Sequence, residues 1–234
     1  MPPPRMRTSA ELAAVIPTLD AAAGLSRTLA ALRGQVAEII VADGGSTDGT
    51  PELAAAAGAR VITAPRGRGS QIAAGVAAAT APWLLVIHAD TIPAPGWAEA
   101  AGAFLADPAH AERAAHFRFA LDDPSAQARR LERAVAWRCR VLGLPYGDQG
   151  LLIARAFLDR LGGVRPIPIM EDVDLVRRIG RARLVGLDVA FVTSAARWRA
   201  GGWWRRSARN LLCLSLWFAG MAPERIAALY ARGR

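Results

Sequence analysis

The chain contains no lysine. Its 29 basic residues are all arginine, and against 20 acidic residues they leave a formal charge of +9. Guanidinium groups favour phosphate and carboxylate partners through planar, two-pronged hydrogen bonds. The excess therefore points to nucleoside diphosphates, phosphorylated lipids or nucleic acid, although a GC-rich genome would produce the same bias to arginine. Nucleic acid is the poorest of the three, because no recognised binding module is present. Cysteine is also scarce. Cys139 and Cys213 stand far apart, which excludes a disulfide framework or a zinc cluster and makes a reducing compartment the expectation. Long apolar runs are missing too. The longest, from Leu211 to Ala222, is interrupted by Ser215 and Gly220 and falls short of the ~20 residues that cross a bilayer. The opening Met-Pro-Pro-Pro-Arg-Met-Arg lacks the apolar core of a signal peptide, so export is not expected and a cytoplasmic place is. What the chain does have is hydrophobic residues, 53% of the total. That excludes disorder and suffices for one domain with a sizeable core.

The first half alternates strands and helices. Strands are expected at Leu12–Ile16, Glu38–Ala42, Arg60–Thr63 and Trp83–His88, with helices near Ala22–Arg33 and Ser70–Ala79 and another opened by Pro51 with Thr50 as its cap. Continuous apolar strands separated by helices indicate a mostly parallel sheet covered on both faces. Ligands gather at the carboxyl ends of such strands. Those ends carry Pro17-Thr18-Leu19-Asp20, Asp43-Gly44-Gly45-Ser46, Pro65-Arg66-Gly67-Arg68-Gly69 and Asp90, a polar, glycine-rich rim. The second half is less regular. It offers a strand near His116–Ala120, a helix from Ser125 to Leu142, a loop at Pro145–Gly150 before Leu151-Leu152-Ile153, a helix opened by Met170-Glu171-Asp172, and a tail of two helices broken near Ala222-Pro223.

A dinucleotide-binding fold is excluded by position, since its glycine fingerprint must follow the first strand, where Pro17-Thr18-Leu19-Asp20 stands. Gly67-Arg68-Gly69 lacks the lysine of a phosphate-binding loop, so a P-loop enzyme is excluded as well.

The motifs Val15–Asp20, Glu38–Thr50, His88-Ala89-Asp90 and Glu171-Asp172 occur in the order found in family 2 glycosyltransferases, and the chain resembles that family. More narrowly, it looks like the small bacterial members associated with radical-SAM and selenium-domain proteins. Gly67-Arg68-Gly69-Ser70-Gln71, Gly147–Gly150, Met170–Leu175 and Thr193–Trp198 carry that likeness. The resemblance implies a GT-A α/β fold with a mostly parallel central sheet, helices on both faces and a C-terminal helical tail. Residues 12–200 would form the catalytic domain, after a loosely ordered segment 1–11. Residues 201–234 would pack on that domain or lie at a membrane interface.

The same resemblance assigns roles. Asp43 would accept a hydrogen bond from the base of a nucleotide-diphosphate sugar, with Pro17 and Thr18 flanking it and Asp20, Gly44, Arg68 and Gln71 nearby. His88-Ala89-Asp90 would take the place of the family's Asp-x-Asp, with Asp90 holding Mg²⁺ or Mn²⁺. His88 stands either as a second ligand or as a buried residue shaping the strand end. Asp172 would be the general base of an inverting transfer, with Glu171 as second choice, although both acids also suit a helix's first turn. Gly147, Asp148, Gln149, Arg197 and Trp198 would lie toward an acceptor of unknown kind, a lipid phosphate among the candidates; Arg197 and Trp198 are also within reach of the diphosphate. Asp48 reads as a helix-start residue. Asp20, Ala21 and Ala73 depart from the family's usual Asn, Glu and Asn, so the donor's identity does not carry over. A non-catalytic nucleotide-sugar-binding scaffold is the alternative, and a sugar nucleotidyltransferase a more distant one. Arg197-Trp198-Arg199 and Trp203-Trp204-Arg205-Arg206 ahead of Leu211-Leu212 also have the composition of a segment at a membrane surface.

Overall fold

The structure, a computed structural model, describes residues 11–232. Residues 1–10, most of the segment expected to be loosely ordered, lie outside the described residues. Eight strands form one sheet: β1 (Leu12–Thr18), β2 (Glu38–Asp43), β3 (Arg60–Thr63), β4 (Trp83–Val86), β5 (Thr91–Pro93), β6 (Ala114–Leu121), β7 (Leu151–Ala154) and β8 (Leu184–Thr193), in the order β3-β2-β1-β4-β7-β6-β8-β5. The pairs β1–β2, β2–β3, β1–β4 and β6–β8 are parallel, whereas β7 runs antiparallel to both β4 and β6, and β5 to β8. This is the mostly parallel α/β sheet expected from the sequence.

Alternate residues of β1 feed two cores. Leu12, Ala14 and Ile16 pack beneath α1 (Ala22–Leu32) and α4 (Trp97–Ala106). Ala13 and Val15 pack on the other face against α3 (Arg68–Ala78), α6 (Arg155–Arg160) and α7 (Glu171–Ile179). Both faces are covered, which is why these strands read as unbroken apolar runs. A third cluster joins β6 to α5 (Ala126–Leu142) and α8 (Ala196–Gly201) through Phe119, Leu121, Val135 and Trp198. The chain ends in α9 (Trp203–Phe218) and α10 (Pro223–Arg232), with Cys213, Leu214 and Ile226 buried. Among the described residues no helix is long and apolar enough to cross a membrane.

Register decides what meets at the rim. Thr18 pairs with Asp43 at the ends of β1 and β2, and Val86 pairs with Leu151 at the end of β4. Because β7 is reversed, the loop that precedes it reaches the same rim as the residues that follow β4. Two expectations are corrected in this region. β4 ends at Val86, so His88 lies beyond it. Thr50 does not cap the next helix, α2 (Thr50–Ala56). The cap position is Gly49, in a left-handed conformation, and Thr50 already belongs to the helix. The Thr50 hydroxyl instead accepts a hydrogen bond from the Ala21 backbone N–H at 2.9 Å, and Asp48 Oδ2 accepts one from Ala22 N–H at 3.0 Å. The start of α1, which has no capping side chain of its own, is thereby satisfied from the loop after β2.

Candidate active site

The ends of β1 and β2 form a closed polar corner. The Asp43 side chain is buried, and its oxygens accept hydrogen bonds from the hydroxyls of Thr18 and Ser46 and from the backbone N–H groups of Gly45 and Ser46. Burial works against its charge, but the Ser46, Thr18 and Gly45 bonds outweigh it and hold the carboxyl below its ordinary range. Asp20 adopts φ 49°, a left-handed conformation that Asp tolerates, and its Oδ1 accepts from the Thr47 N–H at 2.9 Å. Gln71, expected to face the donor, is buried and donates to the carbonyls of Thr18 and Ala42, so its amide stitches β1 to β2. Pro17 is half-buried beside this corner, and Gly44 donates its N–H to Thr18 O at 2.9 Å.

Beyond Asp90 lies a cavity of about 140 Å³. Arg68, His88, Asp90, Gly147, Asp148, Asp172, Arg197 and Trp198 all line it, so eight residues scattered from position 68 to 198 converge. Pro17, Thr18, Asp20, Asp43, Gly44, Gln71, Ala89, Gln149 and Glu171 do not. The corner and the cavity are thus two compartments of one rim.

Backbone geometry places the acidic pair. Met170, with φ 66°, precedes α7, a conformation uncommon for a residue other than glycine and one that marks stored strain. It turns the chain so that Glu171, Asp172 and Asp174 fill the first turn of α7, where the helix dipole favours anions. Asp174 is buried and ion-paired at 2.8 Å with both Arg165 and Arg178, which anchors the helix. Asp172 Oδ2 accepts from Gly147 N–H at 2.9 Å and Oδ1 from Val173 N–H at 2.8 Å. Glu171 is 1% exposed and lies 3.3 Å from Arg68. Burial raises its pKa to about 7, the Arg68 charge opposing and the Asp172 charge adding. Asp148 rises to about 6, again chiefly through burial, with Arg138 opposing and Asp172 and Asp90 adding; its Oδ1 is buried without a hydrogen-bond partner among the described residues.

Two glycines are dictated by close approach. A Cβ on Gly69 would run into the backbone of Arg165 and Ile167, so only glycine lets the 165–167 segment lie on α3 and bring Glu171 to Arg68. A Cβ on Gly147 would stand 2.5 Å from His88 Nε2. The imidazole therefore packs under the Gly147 backbone. Burial, then the charges of Arg68 and Arg197, push its pKa well below the ordinary value, and the ring is neutral.

Gln149, expected to face the acceptor, is corrected by its surroundings. It is 2% exposed. Its Oε1 accepts from Arg138, Cys139 and the Tyr146 N–H, and its Nε2 donates to Phe117 O at 3.1 Å. It is the buried anchor of the loop that presents Gly147 and Asp148. The sequence reading missed Arg206, Asn210 and Tyr230, which line the cavity from α9 and α10. Nothing in their spacing marks them, because they reach the site through tertiary packing of a helix that reads only as amphipathic.

Among the described residues no three of His, Cys, Asp and Glu group tightly enough to hold a metal ion. Asp90 alone, a hard oxygen donor on the cavity wall, fits a divalent cation that takes its other ligands from a phosphate and water.

Comparison with known proteins bears on the family and the fold. The family model described as "Glycosyl transferase family 2" matches residues 13–149. An uncharacterized glycosyltransferase of Mycobacterium tuberculosis is 44% identical over 77 residues, 32% of this chain and 35% of that protein; the match thus spans about a third of the relative's length. Among solved structures, glucosyl-3-phosphoglycerate synthase from Mycobacterium tuberculosis in complex with phosphoglyceric acid superposes with a TM-score of 0.61 at 21% identity, covering 88% of this chain and 80% of that one. The same synthase in complex with Mn²⁺, UDP and glucosyl-3-phosphoglycerate gives 0.59 at 22% identity, with 88% and 80% covered. TarS residues 1–349 of S. aureus give 0.61 at 13% identity, with 88% and 65% covered. At these identities the likeness is one of fold.

Proposed function

Because the chain belongs to glycosyl transferase family 2, matched over more than half its length, we propose that it moves a sugar from a nucleoside-diphosphate donor to an acceptor hydroxyl held in the cavity beyond Asp90. The observation that carries this reading is the convergence of Asp90, Asp148 and Asp172 with Arg68 and Arg197 on one cavity next to the Asp43 corner. The corner takes the base; Pro17, Thr18 and Asp43 shape it, and an incoming imide N–H would take the place of the Ser46 hydroxyl on Asp43. Arg68 and Arg197 face the diphosphate, where negative charge accumulates as the sugar departs. The acceptor oxygen attacks the anomeric carbon from the side opposite the diphosphate and the bond to the diphosphate breaks. The hydroxyl proton passes to Asp172, and the anomeric configuration inverts. Within the family, we propose from the motifs quoted above that the chain is akin to the small bacterial members associated with radical-SAM and selenium-domain proteins.

Asp90 would hold Mg²⁺ or Mn²⁺; the synthase that shares this fold has been solved with Mn²⁺ and UDP and with Mg²⁺ and UDP. Such an ion would supply positive charge against the leaving diphosphate. His88 lines the same cavity beyond the end of β4, and its neutral imidazole, packed against Gly147, is in the form that would serve as a second ligand. Replacing Asp90 with alanine is expected to remove the strengthening of UDP binding by Mn²⁺, roughly tenfold or about 1.4 kcal/mol. Calorimetric titration of UDP and GDP with and without Mn²⁺ measures it. Equal metal enhancement in variant and wild type would sink the assignment, and metal-independent binding without turnover would favour a scaffold.

A second observation concerns the tail. α9 exposes Trp204 (76%) and Leu211 (64%) together with Leu212 and Phe218, and exposed Arg199 and Arg205 lie at its start. We propose this face as a contact with an anionic membrane surface, placing a cytoplasmic enzyme at the inner face of its membrane. Vesicles containing phosphatidylglycerol are expected to carry the wild-type chain upward in flotation and to leave the Trp204→Ala, Leu211→Ala double variant behind. Equal flotation of the two would refute the contact.

A further inference from the structure

Two parts of the chain line the cavity. The body of the domain brings Asp90, Asp148 and Asp172, which as carboxylates only accept, together with Arg68 and His88. The second wall, supplied by α8, α9 and α10, brings Arg197, Trp198, Arg206, Asn210 and Tyr230 and is rich in donors. The guanidinium of Arg206 is set in place on this second wall, 4.8 Å over the Trp198 ring and 3.5 Å from the Tyr230 hydroxyl. Trp198 is 8% exposed, and its indole N–H is buried with no hydrogen-bond partner among the described residues. An indole N–H can only donate, and leaving it unpaired in a buried place costs free energy. A molecule in this cavity that offers an acceptor beside Trp198 would meet that need. Arg68, Arg197 and the Asp43 corner are assigned above to the nucleotide, which leaves Arg206, Asn210 and the Trp198 N–H of the tail for the second substrate.

We infer that the acceptor carries an anionic group, a phosphate monoester or a carboxylate, which docks on Arg206, Asn210 and the Trp198 N–H while its hydroxyl faces Asp172. This rests on the glycosyltransferase reading and deepens it, because it assigns to the C-terminal helices the choice of acceptor. The required chemistry is the same for a free phosphorylated metabolite and for a lipid headgroup. Planar, charge-assisted contacts of this kind discriminate strongly against neutral analogues.

The test uses the full chain saturated with UDP and Mn²⁺, titrated calorimetrically with three probes: glycerol, glycerol 3-phosphate, and dihexanoyl phosphatidic acid below its micelle concentration. At least one phosphate probe is expected to bind roughly tenfold or more tightly than glycerol. Preference for glycerol 3-phosphate indicates a soluble acceptor, and preference for the lipid indicates a headgroup. Arg206→Ala and Asn210→Ala should each abolish the preference while UDP affinity stays within about twofold. Trp198→Phe keeps the ring packing, removes only the N–H and should weaken the phosphate probe about fivefold, which covers the case in which Arg206→Ala unfolds the tail. Equal affinities for glycerol and both phosphate probes would overturn the inference, as would a preference that survives all three substitutions. If neither UDP nor GDP binds wild type at all, the glycosyltransferase reading itself fails, a result read in the first titration before any probe is added.

Discussion

Asp172→Asn is expected to lower sugar transfer by ~10²- to 10⁴-fold, the range contributed by a positioned general base, while UDP affinity stays within about threefold of wild type. Asparagine is the informative replacement. Its side-chain oxygen can still accept from the Gly147 N–H, as Asp172 Oδ2 does at 2.9 Å, so the 147–149 turn keeps its place and only the proton-accepting capacity goes. Release of UDP from UDP-glucose, with water as acceptor where no other serves, measures the loss. The control is Asp148→Asn. Asp148 lines the same cavity, and its carboxyl, with Oδ1 unpaired, sits at about 6. If Asp172→Asn transfers sugar at the wild-type rate while Asp148→Asn does not, the base is Asp148 and the assignment from family resemblance is wrong.

Glu171→Gln is expected to change the pH dependence of stability. Burial raises the folded-state pKa of Glu171 from 4.5 to about 7, with Arg68 opposing and Asp172 adding. A carboxyl raised in this way favours folding while it is protonated. Its contribution is fully present below 4.5, declines as pH rises, and is lost above about 7. Wild type should therefore lose stability relative to Glu171→Gln across that window by about 3 kcal/mol, at about 1.4 kcal/mol for each pKa unit. Denaturant melts without metal, at intervals from pH 4.5 to 8, read the difference. Parallel profiles for the two proteins would show that Glu171 stays ionised, its charge met by Arg68.

The Asp43 corner was legible because its parts follow directly on strand ends. β1 and β2 are buried on both faces, so they read as apolar runs, and the polar residues after them fall on the rim by topology alone. β8 escaped notice for the opposite reason. Leu184–Thr193 is half-buried over much of its length, carries Gly186 and Asp188, and follows a register shift at Phe117/Arg118 in its partner; it shows neither an apolar run nor clean alternation. Thr50 looked like a cap because Thr favours that place, but Gly49 supplies the left-handed turn and frees the Thr50 hydroxyl for Ala21. Gln149 and Asp148 are neighbours in a loop with opposite fates, one an anchor in the interior and the other on the cavity wall. Only tertiary packing separates them. The same holds for Arg206, Asn210 and Tyr230, whose approach to Asp172 depends on how two helices fold back over the rim.

That folding back has a consequence for the order in which the protein becomes competent. The Asp43 corner is built from residues before position 72, whereas one wall of the cavity is built from α9 and α10. The corner also needs the helices that cover β1, the last of them α7, so a chain growing at ~5–20 residues per second would complete it roughly 3–10 seconds before Tyr230 is made. During that interval a captured donor would lie open to water on the acceptor side, and the departing sugar would have only solvent to meet. On the proposed function, productive transfer would wait on α9 and α10, so these helices would set the moment at which the chain becomes competent.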